Sequence, residues 1–414
     1  MTPPSKRSKG TEQCRAAPAK SALRLFDKVS SFTRARELQE CGLYPYFKPI
    51  TQCNGTMLVI EDEPRLNMGS NNYLGLTHDP RVLEAGKQAV EKYGAGCTGS
   101  RFLNGTMDLH EHLESALSEF LGCQSAIVFP TGYQANLGMI SGLVGREDTI
   151  LIDKADHASI IDGTRLCFGR VKRFRHGDLD QLEQLLIQQG GTGLLIVVDG
   201  VHSMNGDIAD LPGLIELAHR HGAALAVDDA HGVGILGPNG EGTPAHFGLA
   251  EQVDIIVGTF SKSLASIGGF VAADEDVIHY LKHNSRPLMF SAALPPFSVA
   301  SVLEGLNILA SEPERRENLW RNTRHMTAGL KSLGFDLGPT ETPILPVIIG
   351  DDELTFTFWR RLFDEGVFTN PVVSPAVPPD QGRLRVSLIA THELEQLDRA
   401  LESFAKAGRE LGVV

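Results

Sequence analysis

Six short apolar runs recur along the middle of the chain, at 125–129, 149–152, 194–198, 223–227, 254–257 and 269–273. Each is too short for a helix and sits between turn residues, with segments of helical periodicity separating them. Strands apolar on both faces need cover on both faces, and a mostly parallel sheet flanked by helices supplies it. The pattern therefore predicts a doubly wound α/β fold, with chemistry at the carboxyl ends of its strands.

At 414 residues and 42% hydrophobic content, the chain can fill one large core and a smaller one. Pro295 and Pro296 mark a boundary. Beyond them, helical segments alternate with runs at 344–349, 367–373 and 383–388, and a helix carrying Leu394, Leu397, Leu401 and Phe404 closes the chain. The expected division is a disordered basic tail at 1–24, an N-terminal helix and short strands at 25–65, a large domain at 66–295 and a smaller α+β domain at 296–414. In the tail, Lys6, Arg7, Lys9, Arg15, Lys20 and Arg24 face one acid, Glu12, among Pro, Ser and Ala. Leu25, Phe26, Val29, Phe32 and Leu38 recur at helical spacing, with Gly42 as the stop. That helix is expected to pack on something other than the main sheet, such as a partner subunit.

Several function classes are disfavoured. No apolar run is long enough to span a bilayer, so a soluble protein is expected. A net charge of −13 argues against a general nucleic-acid binder. Cys14, Cys41, Cys53, Cys97, Cys123 and Cys167 form no Cys-x-x-Cys pair, which points to free thiols in a reducing, cytoplasmic setting and to no metal centre. Neither a Gly-x-x-x-x-Gly-Lys-Ser/Thr loop nor a strand-borne Gly-x-Gly-x-x-Gly is present.

Two strand exits carry chemistry. Gly258-Thr259-Phe260-Ser261-Lys262-Ser263 follows one apolar run, and Asp228-Asp229-Ala230-His231 ends another. A lysine that loses its proton on desolvation can form a Schiff base with an aldehyde. A carboxylate beside it can pair with a pyridinium nitrogen, which is the pair that pyridoxal 5'-phosphate (PLP) requires.

Further motifs follow the strands: Thr131-Gly132-Tyr133-Gln134-Ala135-Asn136, Asp156-His157-Ala158-Ser159, Ser203 in Gly200-Val201-His202-Ser203-Met204, and Ser291-Ala292-Ala293-Leu294-Pro295-Pro296. With Arg383-Leu384-Arg385-Val386-Ser387 and the polar loop 69–76, they make the chain from about residue 25 onward resemble the α-oxoamine synthases, fold-type I PLP enzymes. The resemblance implies a large domain with a mostly parallel seven-stranded sheet plus the smaller C-terminal domain. It implies that Lys262 is the Schiff-base lysine and the base for the substrate's α-proton. Asp228 is then the pyridinium partner, His231 the contact to the phenolic oxygen, and His157 the ring stacked on the cofactor. Gly132, Tyr133, Thr259 and Ser261 would serve the phosphate, Ser203 would touch the cofactor, and Ser291 would reach the phosphate of the neighbouring subunit in a homodimer. Arg385 would hold the amino-acid carboxylate and Asn72 would lie near the substrate. Alternation sends Arg383 and Arg385 to the same face, so the choice between them rests on the family pattern alone.

Within that family, the Thr-Phe-Ser-Lys-Ser wording and the 99–106 loop are similar to bacterial serine palmitoyltransferases. The implied reaction joins a small L-amino acid, serine favoured, to a long-chain acyl thioester of CoA or acyl carrier protein, with loss of CO2 and thiol. The 370–378 stretch carries no arginine where those enzymes have one, so carboxylate handling is expected to differ. The other readings are an 8-amino-7-oxononanoate synthase or a glycine-using short-acyl member of the family, then a PLP aminotransferase or a non-catalytic partner subunit.

Overall fold

A computed structural model describes residues 24–189 and 193–414; the tail expected at 1–24, apart from Arg24, and with it Cys14, lies outside the described residues. Residues 24–46 belong to one unit and Phe47–Val414 form the other. In the first, the single expected helix is two, Arg24–Ser30 and Arg34–Glu40. The break follows from hydroxyls that compete with the helix ladder: Ser30 Oγ donates to the Phe26 carbonyl and Ser31 Oγ to that of Lys28. Gly42 ends the second helix at φ 71°. Leu25, Phe26, Val29 and Phe32 are exposed.

The second unit is built on a seven-stranded sheet in the order Ser125–Phe129, Gly269–Ala273, Ile255–Thr259, Ala224–Asp228, Leu194–Asp199, Thr149–Asp153, Arg170–Phe174. Gly269–Ala273 runs antiparallel to both neighbours and the remaining pairs are parallel. The two-residue period of the strands divides their side chains between two layers. Leu195, Val197, Ile255 and Val257 enter one core, whereas Ile196, Val198, Leu225 and Val227 enter another beneath the opposite face. Both faces are therefore dry, which is why the runs read as apolar without alternation.

Helices Gly132–Leu143, Ala158–Leu166, Leu179–Ile187 and Leu211–His221 connect the strands. The loop at 94–105 is pinned from within: Arg101 grips Glu114 through two hydrogen bonds of 2.6 and 3.1 Å, and Glu114 Oε1 also accepts from the Val128 amide at 2.9 Å.

The C-terminal strands form a second, antiparallel sheet ordered Ile344–Gly350, Gly382–Ser387, Asn370–Val372. The expected run at 367–373 splits. Val367–Phe368 instead pairs in parallel with Leu66 and Asn67, completing a four-stranded sheet with Gln52–Cys53, Met57–Ile60 and Glu63–Asn67. Among the described residues, no helix is long and apolar enough to cross a membrane.

Candidate active site

The carboxyl ends of five strands converge on a cavity of about 380 Å³. It is lined by Gly132, Tyr133, His157, Ser203, Asp228, His231, Thr259, Ser261 and Lys262, together with Thr131, Asn136, Ser159 and Asp199. Sheet register sets Asp199 beside Asp228, and Asp228 beside Val257, so the two acids leave adjacent strands at one level and the next strand exits beside them toward Lys262.

One end is an anion cradle. Thr131 caps the Gly132–Leu143 helix, its hydroxyl accepting from the Gln134 amide at 3.0 Å. The N–H groups of Gly132 and Tyr133 belong to the first turn and have no partner within the helix. Gly132 is required by proximity: a Cβ there would stand 2.7 Å from Thr259 Cβ. The Thr259 and Ser261 hydroxyls are 2.9 Å apart on the same side.

The other end holds the titrating groups. Burial brings the Lys262 ammonium down to about 8, against the opposing pull of Asp228 and Asp199. Asp228 is fixed from two directions, by the Ala230 amide on Oδ1 at 3.0 Å and the Asn136 side-chain amide on Oδ2 at 2.5 Å. Asn136 also donates to Ser159 Oγ, which is 2.7 Å from His157 Nδ1. Burial lowers the pKa of His157 and drives that of His231 well below its ordinary value, so both imidazoles are neutral near pH 7. Asp199 and Asp156, buried side by side with Asp228 close, are pushed well above the carboxylate range. The neighbouring acid Asp229 turns away from this group and accepts from the amide and hydroxyl of Thr243, at 2.7 and 2.5 Å.

A desolvated amine, a fixed carboxylate and a helix-end cradle are the donor set for an aromatic aldehyde that carries a phosphate and a ring nitrogen. Residues 63–404 match the class I and II aminotransferase family. A serine palmitoyltransferase of Sphingobacterium spiritivorum is 53% identical over 92% of this chain and 96% of its own length. An 8-amino-7-oxononanoate synthase of Symbiobacterium thermophilum is 44% identical over 91% and 97%. A solved serine palmitoyltransferase with PLP superposes at TM-score 0.92 and 39% identity, covering 95% of this chain and all of that one.

The chain belongs to this family, in its α-oxoamine synthase branch. The α-oxoamine synthases use PLP, and the residues here fit it: Lys262 for the aldehyde, Asp228 for the ring nitrogen, and Gly132, Tyr133, Thr259 and Ser261 for the phosphate.

Three sequence-named residues lie outside the cavity lining. Ser291 accepts from the Gln134 side chain at 3.2 Å. Asn72 is buried with its amide 2.8 Å from Thr77 Oγ1, beside Cys53, Gly55 and His78. Arg385 is buried behind Ser203, whose carbonyl accepts from its Nε at 2.7 Å. Its Nη1 donates to Asn71 Oδ1 and Ser387 Oγ, both at 2.9 Å. Arg383 points at Asn205 and Gln381 instead, so the two arginines have distinct surroundings.

Sequence reasoning left Asn136, Asn71 and Tyr73 without roles. Asn136 stood inside a quoted motif, five residues after Thr131. Tyr73 is buried, with its hydroxyl 2.8 Å from His231 Nδ1. Its hydroxyl also donates to Asn71 Oδ1 at 3.3 Å, but the contacts that tie it to the site, His231 and Arg385, are 158 and 312 residues away and leave no local mark.

Proposed function

We propose that this α-oxoamine synthase condenses a small L-amino acid, serine favoured, with a long-chain acyl thioester, releasing CO2 and thiol and yielding an α-amino ketone. The observation that carries the reading is the partly neutral Lys262 amine in one cavity with Asp228, bounded by a Gly-Thr-Phe-Ser-Lys-Ser strand exit.

PLP supplies an electron sink for charge developing at the substrate's Cα. The protein supplies the rest. Lys262 would hold the aldehyde, and its free amine would accept the Cα proton; an amine with its pKa near 8 is partly unprotonated at neutral pH. Asp228, oriented by Asn136 and the Ala230 amide, would pair with the ring nitrogen and favour its protonated form. His157 and His231, both neutral, add no competing positive charge and offer orientation by ring face and hydrogen bond. Arg385 receives the amino-acid carboxylate when its Nη2 exchanges the long contact to Tyr73 for substrate, while Nε on the Ser203 carbonyl and Nη1 on Asn71 keep the guanidinium aimed. Geometry at Cα then decides which bond is weakened.

Ser291 serves the phosphate of a second subunit in this reading, so the working enzyme is a cytoplasmic homodimer with shared sites; sedimentation of the holoenzyme tests that. The second reading, an 8-amino-7-oxononanoate synthase, is favoured by the arginine-free 370–378 stretch and the 44% identical relative. Mixing acyl-CoA and amino acid with the holoenzyme should release thiol and CO2 in equal amounts. Amino-group transfer to a keto acid with neither product would overturn the condensation.

A further inference from the structure

Outside the cavity lining, the Thr149–Asp153 strand, the turn after Arg170–Phe174 and the 201–208 loop bring Asp153, His176, His202 and Asp207 together. His176 Nδ1 lies 3.2 Å from Asp153 Oδ2, and its Nε2 lies 3.0 Å from Asp207 Oδ2. His202 Nδ1 is 3.2 Å from the same Asp207 oxygen, and the two imidazoles meet edge to face at 4.3 Å. His202 is only 4% exposed; its Nδ1 has only the 3.2 Å approach to Asp207, and its Nε2 has no partner at all. Asp207 Oδ1 is equally unpartnered. Buried polar atoms without partners are costly, so a cluster of them calls for an occupant.

We propose that Asp153, His176 and His202 form a site for a divalent transition ion of the zinc class, with Asp207 fixing the imidazoles. One ligand atom from each of the three lies within 4.8 Å of the others. Tetrahedral ligands about 2.0–2.1 Å from a zinc-like ion stand about 3.3 Å apart. The 3.2 Å between Asp153 Oδ2 and His176 Nδ1 already has that spacing. Asp153 is held in place by the amides of Ala155 and Gly177. A carboxylate on the far nitrogen of a ligating histidine sets its tautomer and orientation, which is the place Asp207 takes toward His176 Nε2. Two nitrogens and one oxygen suit zinc, cobalt or nickel; magnesium and calcium select oxygen. The His176 side chain is 35% exposed, leaving a way in and room for water as fourth ligand. The ion would brace the loop whose Ser203 carbonyl holds Arg385.

The test is a titration of chelator-stripped holoenzyme with Zn2+ followed by calorimetry and thermal melting, and with Co2+ followed by absorbance. One saturable equivalent per chain, a raised melting temperature and a cobalt spectrum without thiolate bands are expected. His202→Phe should abolish uptake, and Asp207→Asn should weaken it about ten- to hundredfold. Lys262→Ala should bind the ion normally, so this result is independent of whether the condensation reading stands. Should His202→Phe fail to fold by circular dichroism, His202→Gln and Asp207→Asn decide. No saturable uptake by wild type, undiminished uptake in the folded variants, or thiolate bands would overturn the proposal.

Discussion

Arg385 donates through Nη1 to Asn71 Oδ1 at 2.9 Å, although 314 residues separate the two. The guanidinium is thus aimed by the loop before Tyr73, while the adjacent Asn72 turns to Thr77. Asn71→Ala should raise KM for the amino acid about tenfold with a smaller change in kcat, as expected for a hydrogen bond to a charged group. Asn72→Ala should leave that KM within about twofold of wild type and cost about 1 kcal/mol of stability in urea melts. Steady-state kinetics on both variants checks the assignment; a larger KM effect from Asn72 would reverse it.

Lys262→Ala should fold and lose both the holoenzyme's cofactor absorbance band and turnover. A subtler outcome concerns the apoenzyme. Burial lowers the Lys262 pKa from 10.5 to about 8, which corresponds to about 3 kcal/mol of instability at neutral pH. Below pH 8 both folded and unfolded chains carry the proton, so the penalty is constant. Between about 8 and 10.5 only the unfolded chain keeps it, and stability rises with pH. Apo Lys262→Met should therefore exceed apo wild type by about 3 kcal/mol near pH 7, with the gap closing toward pH 10.5. Denaturant melts at several pH values would show a constant gap if the amine were solvated.

Asp228→Asn should retain PLP but slow Cα deprotonation about a thousandfold, equivalent to about 4 kcal/mol. Asp229→Asn should act on stability instead, because Asp229 spends both oxygens on Thr243. Exchange of the amino acid's α-hydrogen with solvent deuterium separates the two. Comparable slowing in Asp229→Asn would contradict the assignment of roles.

Much of this was legible because the sheet is dry on both faces. Runs such as 194–198, 223–227 and 254–257 announce themselves without alternation, and the exits of the last two carry Asp228 and Lys262. Arg170–Phe174 escaped notice because it is an edge strand whose Arg170, Val171 and Arg173 face outward. The 367–373 run looked like one strand because each half is apolar, yet the halves pair in different sheets. Asn71 and Tyr73 were hidden for a physical reason: their contacts to Arg385 exist once strand Gly382–Ser387 is laid beside the loop, and that of Tyr73 to His231 once the Ala224–Asp228 strand exit is, which no local pattern encodes. His202 was read only as the neighbour of Ser203.

Arg101 and Glu114 are both buried, with 8% of each side chain exposed, and they tie the 94–105 loop to the Ser125–Phe129 strand. Arg101→Ala leaves Glu114 buried without its partner and should cost about 3–5 kcal/mol in denaturant melts. Loss of less than about 1 kcal/mol would class the pair with solvated surface contacts.

The central claim is the choice of substrates, and one panel tests it most directly: kcat/KM for L-serine, L-alanine and glycine, each with C6, C10 and C16 acyl-CoA. Each buried methylene contributes about 0.8 kcal/mol, so preference should climb steeply with chain length. The account predicts that serine with the C16 thioester is the best pair. Alanine with the C6 thioester as the best pair would contradict it and make the chain an oxononanoate-type synthase.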